Sequence, residues 1–176
     1  KAAKDDDIHS SIHYGEVCEF ITGYMRSNTF KLIETVAERL SQELLIKYDR
    51  ARIIDIEIKK PWAPIGLPVS SVSVSITRRW HTAYIALGSN LGDKREYING
   101  ALKSFDDDPK IKTEKVSGLI TTKPYGVTDQ PDFLNGAAMI STLYDPHELL
   151  DALHEIEALY GRERKEHWGP RTLDLD

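Results

Sequence analysis

The hydrophobic period of this chain switches between about 3.6 residues and about 2, and after Thr77-Arg78-Arg79-Trp80 the whole pattern begins again. Before that point, Val17, Phe20, Ile21 and Tyr24 recur at helical spacing from His13 and predict an amphipathic helix ending near Ser27-Asn28. Thr29 is placed to cap a second helix with Ile33, Val36, Ala37, Leu40 and Leu44 inward and Glu34 and Glu38 on the surface. Two strands follow, in which Ile54, Ile56 and Ile58 alternate with charged residues, and Val72, Val74 and Ile76 with serines. The connection Pro61-Trp62-Ala63-Pro64-Ile65-Gly66-Leu67-Pro68 is too proline-rich for regular structure.

From Thr82 the order is strand, helix, strand, strand, helix, strand. The extended segments are Thr82 to Leu87, Lys112 to Thr121, Phe133 to Leu143 and the C-terminal residues. One helix turns Ile98, Ala101, Leu102 and Phe105 inward. The other is signalled by Asp145 as N-cap, Pro146, Glu148 three residues after the cap, an inward stripe of Leu149, Leu153, Ile156 and Tyr160, and Gly161 at its end. The expectation is an α+β chain in two domains, 1–79 and 80–176, the second ferredoxin-like with its helices on one sheet face.

At 40% hydrophobic and 29% charged, the 176 residues have the composition of a soluble globular protein. A net charge of −5 argues against a nucleic-acid backbone as the main partner. The basic cluster of Arg162, Arg164, Lys165 and Arg171 therefore points to a small anion. No apolar run approaches the ~18 residues a membrane span needs. Cys18, the single cysteine, can form no internal disulfide, which fits a reducing cytoplasm. The chain opens at Lys1 on a polar stretch through Asp7 and reads as the middle of something longer.

The residues Leu173-Asp174-Leu175-Asp176 put two carboxylates on one face of a strand and two leucines on the other. Asp-x-Asp alone is more often an ordinary half-exposed strand. Beside Arg162, Arg164 and Arg171, which offer guanidinium forks to phosphate oxygens, and Trp168, a flat wall, it reads as an oxygen platform for Mg²⁺. A cation platform next to an arginine cluster is what transfer of a phosphorus group needs, because alignment and charge stabilisation dominate that chemistry. The turn Gly88-Ser89-Asn90-Leu91-Gly92 lacks the Gly-Lys-Ser/Thr ending of a phosphate loop and reads as a strand-to-helix turn.

Gly88 to Gly92, Asp129-Gln130-Pro131-Asp132-Phe133-Leu134-Asn135, and above all Gly161-Arg162-x-Arg164 with His167-Trp168-Gly169-Pro170-Arg171-Thr172-Leu173-Asp174-Leu175-Asp176 resemble the motifs of 6-hydroxymethyl-7,8-dihydropterin pyrophosphokinases, in order, from about Thr82 to the end. The resemblance implies that Asp174 and Asp176 bind two Mg²⁺ ions bridging ATP. The substrate hydroxymethyl oxygen then attacks the β-phosphorus and AMP leaves. It further implies that Arg162 and Arg171 stabilise the transferring group, that Arg164 and Trp168 belong to a loop closing over the nucleotide, and that Glu157 lies on the nucleotide side. Phe133 stacks on the pterin, Asn135 bonds its edge, and Thr122 and Pro124 surround it. By position alone Phe133 would be a core residue. His167 stands where an arginine also occurs in that family.

In the first domain, His13-Tyr14-Gly15-Glu16-Val17, Leu32-Ile33-Glu34, Ala37-Glu38-Arg39, and Lys59-Lys60-Pro61 leading to Ala63-Pro64-Ile65 resemble the later part of dihydroneopterin aldolase. That implies a partial tunnelling fold, an antiparallel sheet with two helices that closes into a barrel by homo-oligomerising, with sites between subunits. Glu34 would grip the amino-pyrimidine edge, and Lys60 and Tyr14 would move protons in a retro-aldol cleavage that needs no cofactor. Taken singly, an exposed helix glutamate and a strand-end lysine are ordinary surface residues. The first product is the second substrate, so a fusion in this order is chemically coherent. By the same resemblance the opening aldolase strands and the closing kinase strands fall outside the chain. Two alternatives stand beside this: a kinase whose first half is a silent oligomerisation platform, and an RNA-binding α+β module, which the acidic balance disfavours.

Overall fold

The computed structural model describes residues 11–162 and 169–176. The chain divides into two compact units, Lys1–Trp80 and His81–Asp176.

In the first unit, helix α1 spans Tyr14–Ser27. The His13 ring starts it, Nδ1 accepting from the backbone N–H of Gly15 at 3.1 Å. A Cβ on Gly15 would stand 2.8 Å from that ring, so glycine is what lets the imidazole fold over the helix end. Asn28 closes α1, donating from Nδ2 to the Tyr24 carbonyl at 2.8 Å.

The second helix, α2, spans Ile33–Lys47 and is capped by Leu32 with no side-chain bond. Thr29 is therefore not its cap. Phe30 stacks on Tyr24 with ring centroids 6.0 Å apart, and the backbone is still extended at Leu32, so helix begins only at Ile33. Val36, Ala37, Leu40, Leu44 and Leu45 are buried where α2 packs on the antiparallel pair β1 (Ile53–Lys60) and β2 (Val72–Arg79). Pairing runs from Ile53 with Arg79 to Lys60 with Val72. Ile54, Ile56, Ile58, Val74 and Ile76 take the half-buried face, as their alternation requires. Glu38 is not a free surface acid: Arg78 Nε donates to its Oε1 at 3.0 Å, tying α2 to β2.

In the second unit the order is β3 (His81–Ser89), α3 (Lys94–Asp107), β4 (Ile111–Val116), β5 (Ile120–Thr122), β6 (Phe133–Thr142), α4 (Pro146–Leu159) and β7 (Asp174–Leu175). All pairings are antiparallel, in spatial order β4-β6-β3-β7, with β5 also on β6. This is the ferredoxin-like arrangement of the sequence pattern. The single extended segment expected from Lys112 to Thr121 is instead broken into β4 and β5 around Gly118, and both pieces pair with β6.

Asp93 caps α3 by accepting from Glu96 N at 3.0 Å. Asp145 and Glu148 form the full capping box of α4, and Gly161 follows it at a φ of 73°. Ile85, Leu87, Ile98, Ala101, Phe105, Ile140, Leu149, Leu153, Ile156, Leu173 and Leu175 make one core on the helix side of the sheet. Among the described residues the opposite face carries no helix of this unit, so alternate residues of β6, β3 and β7 are offered outward.

Candidate active site

Side chains on that open face are set by strand register. Gly88 pairs with Asn135 of β6 on one side and Asp174 of β7 on the other, placing these three in a row across the sheet. A Cβ on Gly88 would lie 3.1 Å from Asn135 Oδ1 and 3.5 Å from Asp174 Cβ. Glycine here is what lets the amide and the carboxylate lean in over the central strand. Asn135 Nδ2 donates to Thr122 Oγ1 at 2.8 Å, fixing the amide from the β5 side. Phe133, two residues earlier on the same face, has the Arg171 guanidinium 5.8 Å from its ring centroid.

The charged half of the site is a chain of alternating sign. Arg171 Nη1 lies 2.7 Å from Asp174 Oδ2, and Arg162 Nη2 lies 2.7 Å from Asp174 Oδ1. Arg162 Nη1 in turn meets Glu157 Oε1. The Arg162 contact to Oδ1 is an ion pair without hydrogen-bond geometry, so Oδ1 is buried with no hydrogen bond of its own. Glu157 is 2% exposed and also accepts the backbone N–H of Leu175 at 2.8 Å. Its carboxylate lies beneath the open face and holds both Arg162 and the short strand β7, so it reaches the site through Arg162. Asp176 is exposed and pairs its backbone with Ala86 beside the row. Leu173 and Leu175, both 0% exposed, are the anchors that turn Asp174 and Asp176 outward together.

The structure thus brings together Thr122, Phe133, Asn135, Arg162, Arg171 and Asp174, with Glu157 under them. Pro124 is half-buried in the loop after β5. Arg164 and Trp168, like His167, lie outside the described residues. In the first unit, Tyr14 at the start of α1 is 81% exposed. Glu34 in the first turn of α2 and Lys60 at the end of β1 are exposed as well. Among the described residues no hydrogen bond or ion pair joins these three. The loop after β1 leaves Trp62 90% and Leu67 70% exposed.

One buried polar residue beside the site was given no role of its own by the sequence reading. Asn90, taken there as part of a turn, is 0% exposed and bonds to the backbone of Arg171 and to the loop before β6. Its amide in a turn between an apolar strand and a capped helix carries no periodic signal. Only its burial marks it.

Residues 84–176 match the family model of 7,8-dihydro-6-hydroxymethylpterin-pyrophosphokinase, and residues 1–77 that of dihydroneopterin aldolase. Over 95 residues the chain is 47% identical to the bifunctional protein FolKE of Lactococcus lactis subsp. cremoris, covering 54% of this chain and 27% of that protein. It is 50% identical over 93 residues to the 2-amino-4-hydroxy-6-hydroxymethyldihydropteridine pyrophosphokinase of Pseudomonas aeruginosa, covering 53% of this chain and 57% of that one. The similarity to the folic acid synthesis protein fol1 of Schizosaccharomyces pombe, 34% identical over 177 residues, runs through both units, covering 92% of this chain and 24% of the relative. The chain therefore belongs to the 7,8-dihydro-6-hydroxymethylpterin-pyrophosphokinase family through residues 84–176, and ahead of them residues 1–77 match the dihydroneopterin aldolase model.

Proposed function

We propose that this chain serves folate biosynthesis by transferring diphosphate from ATP to 6-hydroxymethyl-7,8-dihydropterin, and that the unit ahead of it cleaves 7,8-dihydroneopterin to that same pterin and glycolaldehyde. The observation that carries the reading is Arg171, whose guanidinium spans from the Phe133 ring to Asp174 and so joins a ring-binding half to a phosphate-binding half. The domain assignment, 1–79 for the aldolase and 80–176 for the kinase, belongs to the proposal and is supported by the two compact units.

In the kinase half the pterin ring stacks on Phe133, its edge bonds to Asn135, and Thr122 and Pro124 bound it. The substrate oxygen attacks the β-phosphorus; the bond from that phosphorus to the bridging oxygen of the α-phosphate breaks, AMP departs, and the hydroxyl proton is lost. Arg162 and Arg171 hold the phosphate oxygens where charge develops. A phosphate arriving there competes with Asp174 for the same N–H groups, so the present ion pairs hold both guanidiniums in place beforehand. Arg164 and Trp168 close over the nucleotide, and Glu157 acts on it through Arg162.

Two carboxylates on one sheet face, one with a buried oxygen lacking a hydrogen bond, fit Mg²⁺, which takes one or two protein carboxylates and fills its shell with water and phosphates. Asp174 and Asp176 would hold two such ions, supplying neutralisation of the triphosphate charge. The substrates are ATP and pterins. The protein works in the cytoplasm, where ATP is supplied, and associates into a homo-oligomer through the aldolase half.

In that half Glu34 grips the pterin edge and Lys60 and Tyr14 carry protons, with no cofactor. A second reading is a catalytically silent first half that only assembles the kinase; the separate, exposed positions of Tyr14, Glu34 and Lys60 within one protomer fit it as well as they fit a site shared between subunits. The RNA-module alternative loses its ground because the open face is organised around an amide, a carboxylate and guanidiniums rather than paired aromatics. The test is direct: the full-length protein with ATP, Mg²⁺ and 6-hydroxymethyl-7,8-dihydropterin should release AMP, and with 7,8-dihydroneopterin should release glycolaldehyde. Absence of AMP would overturn the kinase reading.

A further inference from the structure

Asn90 lies at the end of β3, fully buried, and both ends of its amide are spent on segments that carry the site. Its Oδ1 accepts the backbone N–H of Arg171 at 2.7 Å. Its Nδ2 donates to Gln130 Oε1 at 2.9 Å and to the Pro131 carbonyl at 3.2 Å. Its own N–H, with that of Leu91, donates to the Arg171 carbonyl at 3.0 and 3.3 Å. Arg171 reaches both Asp174 and the Phe133 ring, and Pro131 stands two residues ahead of Phe133.

We propose that Asn90 is a positioning residue that sets the spacing between the phosphate-binding and ring-binding halves of the site; this rests on the kinase reading above. The chain near Asn90 does not depend on it for a cap or a turn. Asp93 caps α3, and Gly92 takes the positive φ of 56°. What the amide uniquely supplies is an acceptor toward Arg171 and donors toward the Gln130–Pro131 loop, from one rigid group between strands. An aspartate at this position keeps the acceptor and loses both donors. A leucine loses all three bonds and leaves the Arg171 N–H and the Pro131 carbonyl without the Asn90 amide. Gln130 extends the link, donating from Nε2 to the Val127 carbonyl at 2.7 Å, so the loop that leads into Phe133 is hung from the same point.

The experiment is steady-state kinetics of the full-length protein and its N90A, N90D and Q130A variants with ATP, Mg²⁺ and 6-hydroxymethyl-7,8-dihydropterin, with folded fraction measured by circular dichroism. Misplacement by about an ångström costs on the order of 100-fold, so N90A should lower kcat about 10- to 100-fold per folded molecule. Asn90→Asp keeps the acceptor toward Arg171 but sets a carboxylate oxygen against the Gln130 and Pro131 oxygens, so it should retain more kcat than N90A per folded molecule while raising the KM for the pterin. Gln130→Ala should raise the pterin KM several-fold and leave kcat close to wild type, and it carries the test if the Asn90 variants do not fold. Losses that track the folded fraction alone, or an unchanged pterin KM in Q130A, would overturn the positioning role. A wild-type protein that makes no AMP would instead sink the kinase reading beneath it.

Discussion

Arg171 Nη1 and Asp174 Oδ2 stand 2.7 Å apart, three residues from each other on the approach to β7, and the same guanidinium lies over the face of Phe133. A cation and a carboxylate from the approach to β7 thus meet an aromatic ring from β6 on the sheet face opposite the core.

Removing the carboxylate tests the metal assignment. Asp174→Asn keeps shape and loses charge, and should lower Mg²⁺-dependent AMP formation from ATP and 6-hydroxymethyl-7,8-dihydropterin by at least about 100-fold. Retention of activity would remove Asp174 from the metal site. Arg171 loses its carboxylate partner and Arg162 is left with Glu157, so thermal stability should shift as well, measurable as a changed Tm.

Crowding the central strand tests the row of side chains. A Cβ at position 88 would sit 3.1 Å from Asn135 Oδ1, closer than packing comfortably allows. Gly88→Ala should displace the Asn135 amide and reduce kcat/KM for the pterin about 10-fold, with the protein still folded by circular dichroism. An unchanged kcat/KM would mean that Asn135 does not bind the pterin edge.

The aldolase half stands or falls on its lysine. Lys60→Ala should reduce glycolaldehyde release from 7,8-dihydroneopterin by at least about 100-fold, the scale of a lost proton-transfer group, while leaving AMP formation intact. Unchanged release would favour the silent-platform reading.

Alkaline stability reports on the seam between α3 and α4. Burial, then the hydrogen bond from its hydroxyl to Asp108, push the Tyr144 phenol up to about 12. The folded pKa is raised above the ordinary 10.0, so this contribution is fully present below about pH 10 and is lost as pH rises toward 12. In Tyr144→Phe the fall in stability across that window should flatten, as read by urea unfolding at several pH values; an unchanged slope would discount the tyrosine.

The core sets the ordinary scale of damage. Phe105, 0% exposed between α3 and the sheet, should cost about 3–5 kcal/mol when cut to alanine, against the smaller effects expected at Gly88 and Tyr144. Chemical denaturation of the two proteins measures the difference.

Period and caps were enough to locate most elements, because they are local. The 3.6-residue stripe of Leu149, Leu153 and Ile156 and the Asp145–Glu148 box define α4 without reference to the rest of the chain. The alternation of Leu173, Asp174, Leu175 and Asp176 likewise announces two carboxylates on one face. Where a boundary depended on a distant contact, local signals failed. Thr29 looks like a cap, yet α2 starts only at Ile33, after a stretch in which Phe30 stacks on Tyr24. The long segment from Lys112 onward shows no break that periodicity can see, although β6 pairs with it in two pieces.

The kinds of residue available for chemistry, the α+β order of the second unit and its family are all legible in the amino-acid order. That Asn135, Gly88 and Asp174 are neighbours, that Glu157 is buried beneath Arg162, and that Asn90 ties Arg171 to the loop before Phe133 emerges only from the folded chain. These relations depend on strand register and on burial of polar groups. Both are set by packing between segments far apart in the chain, such as Asn90 and Arg171, and neither leaves a periodic trace in either segment alone.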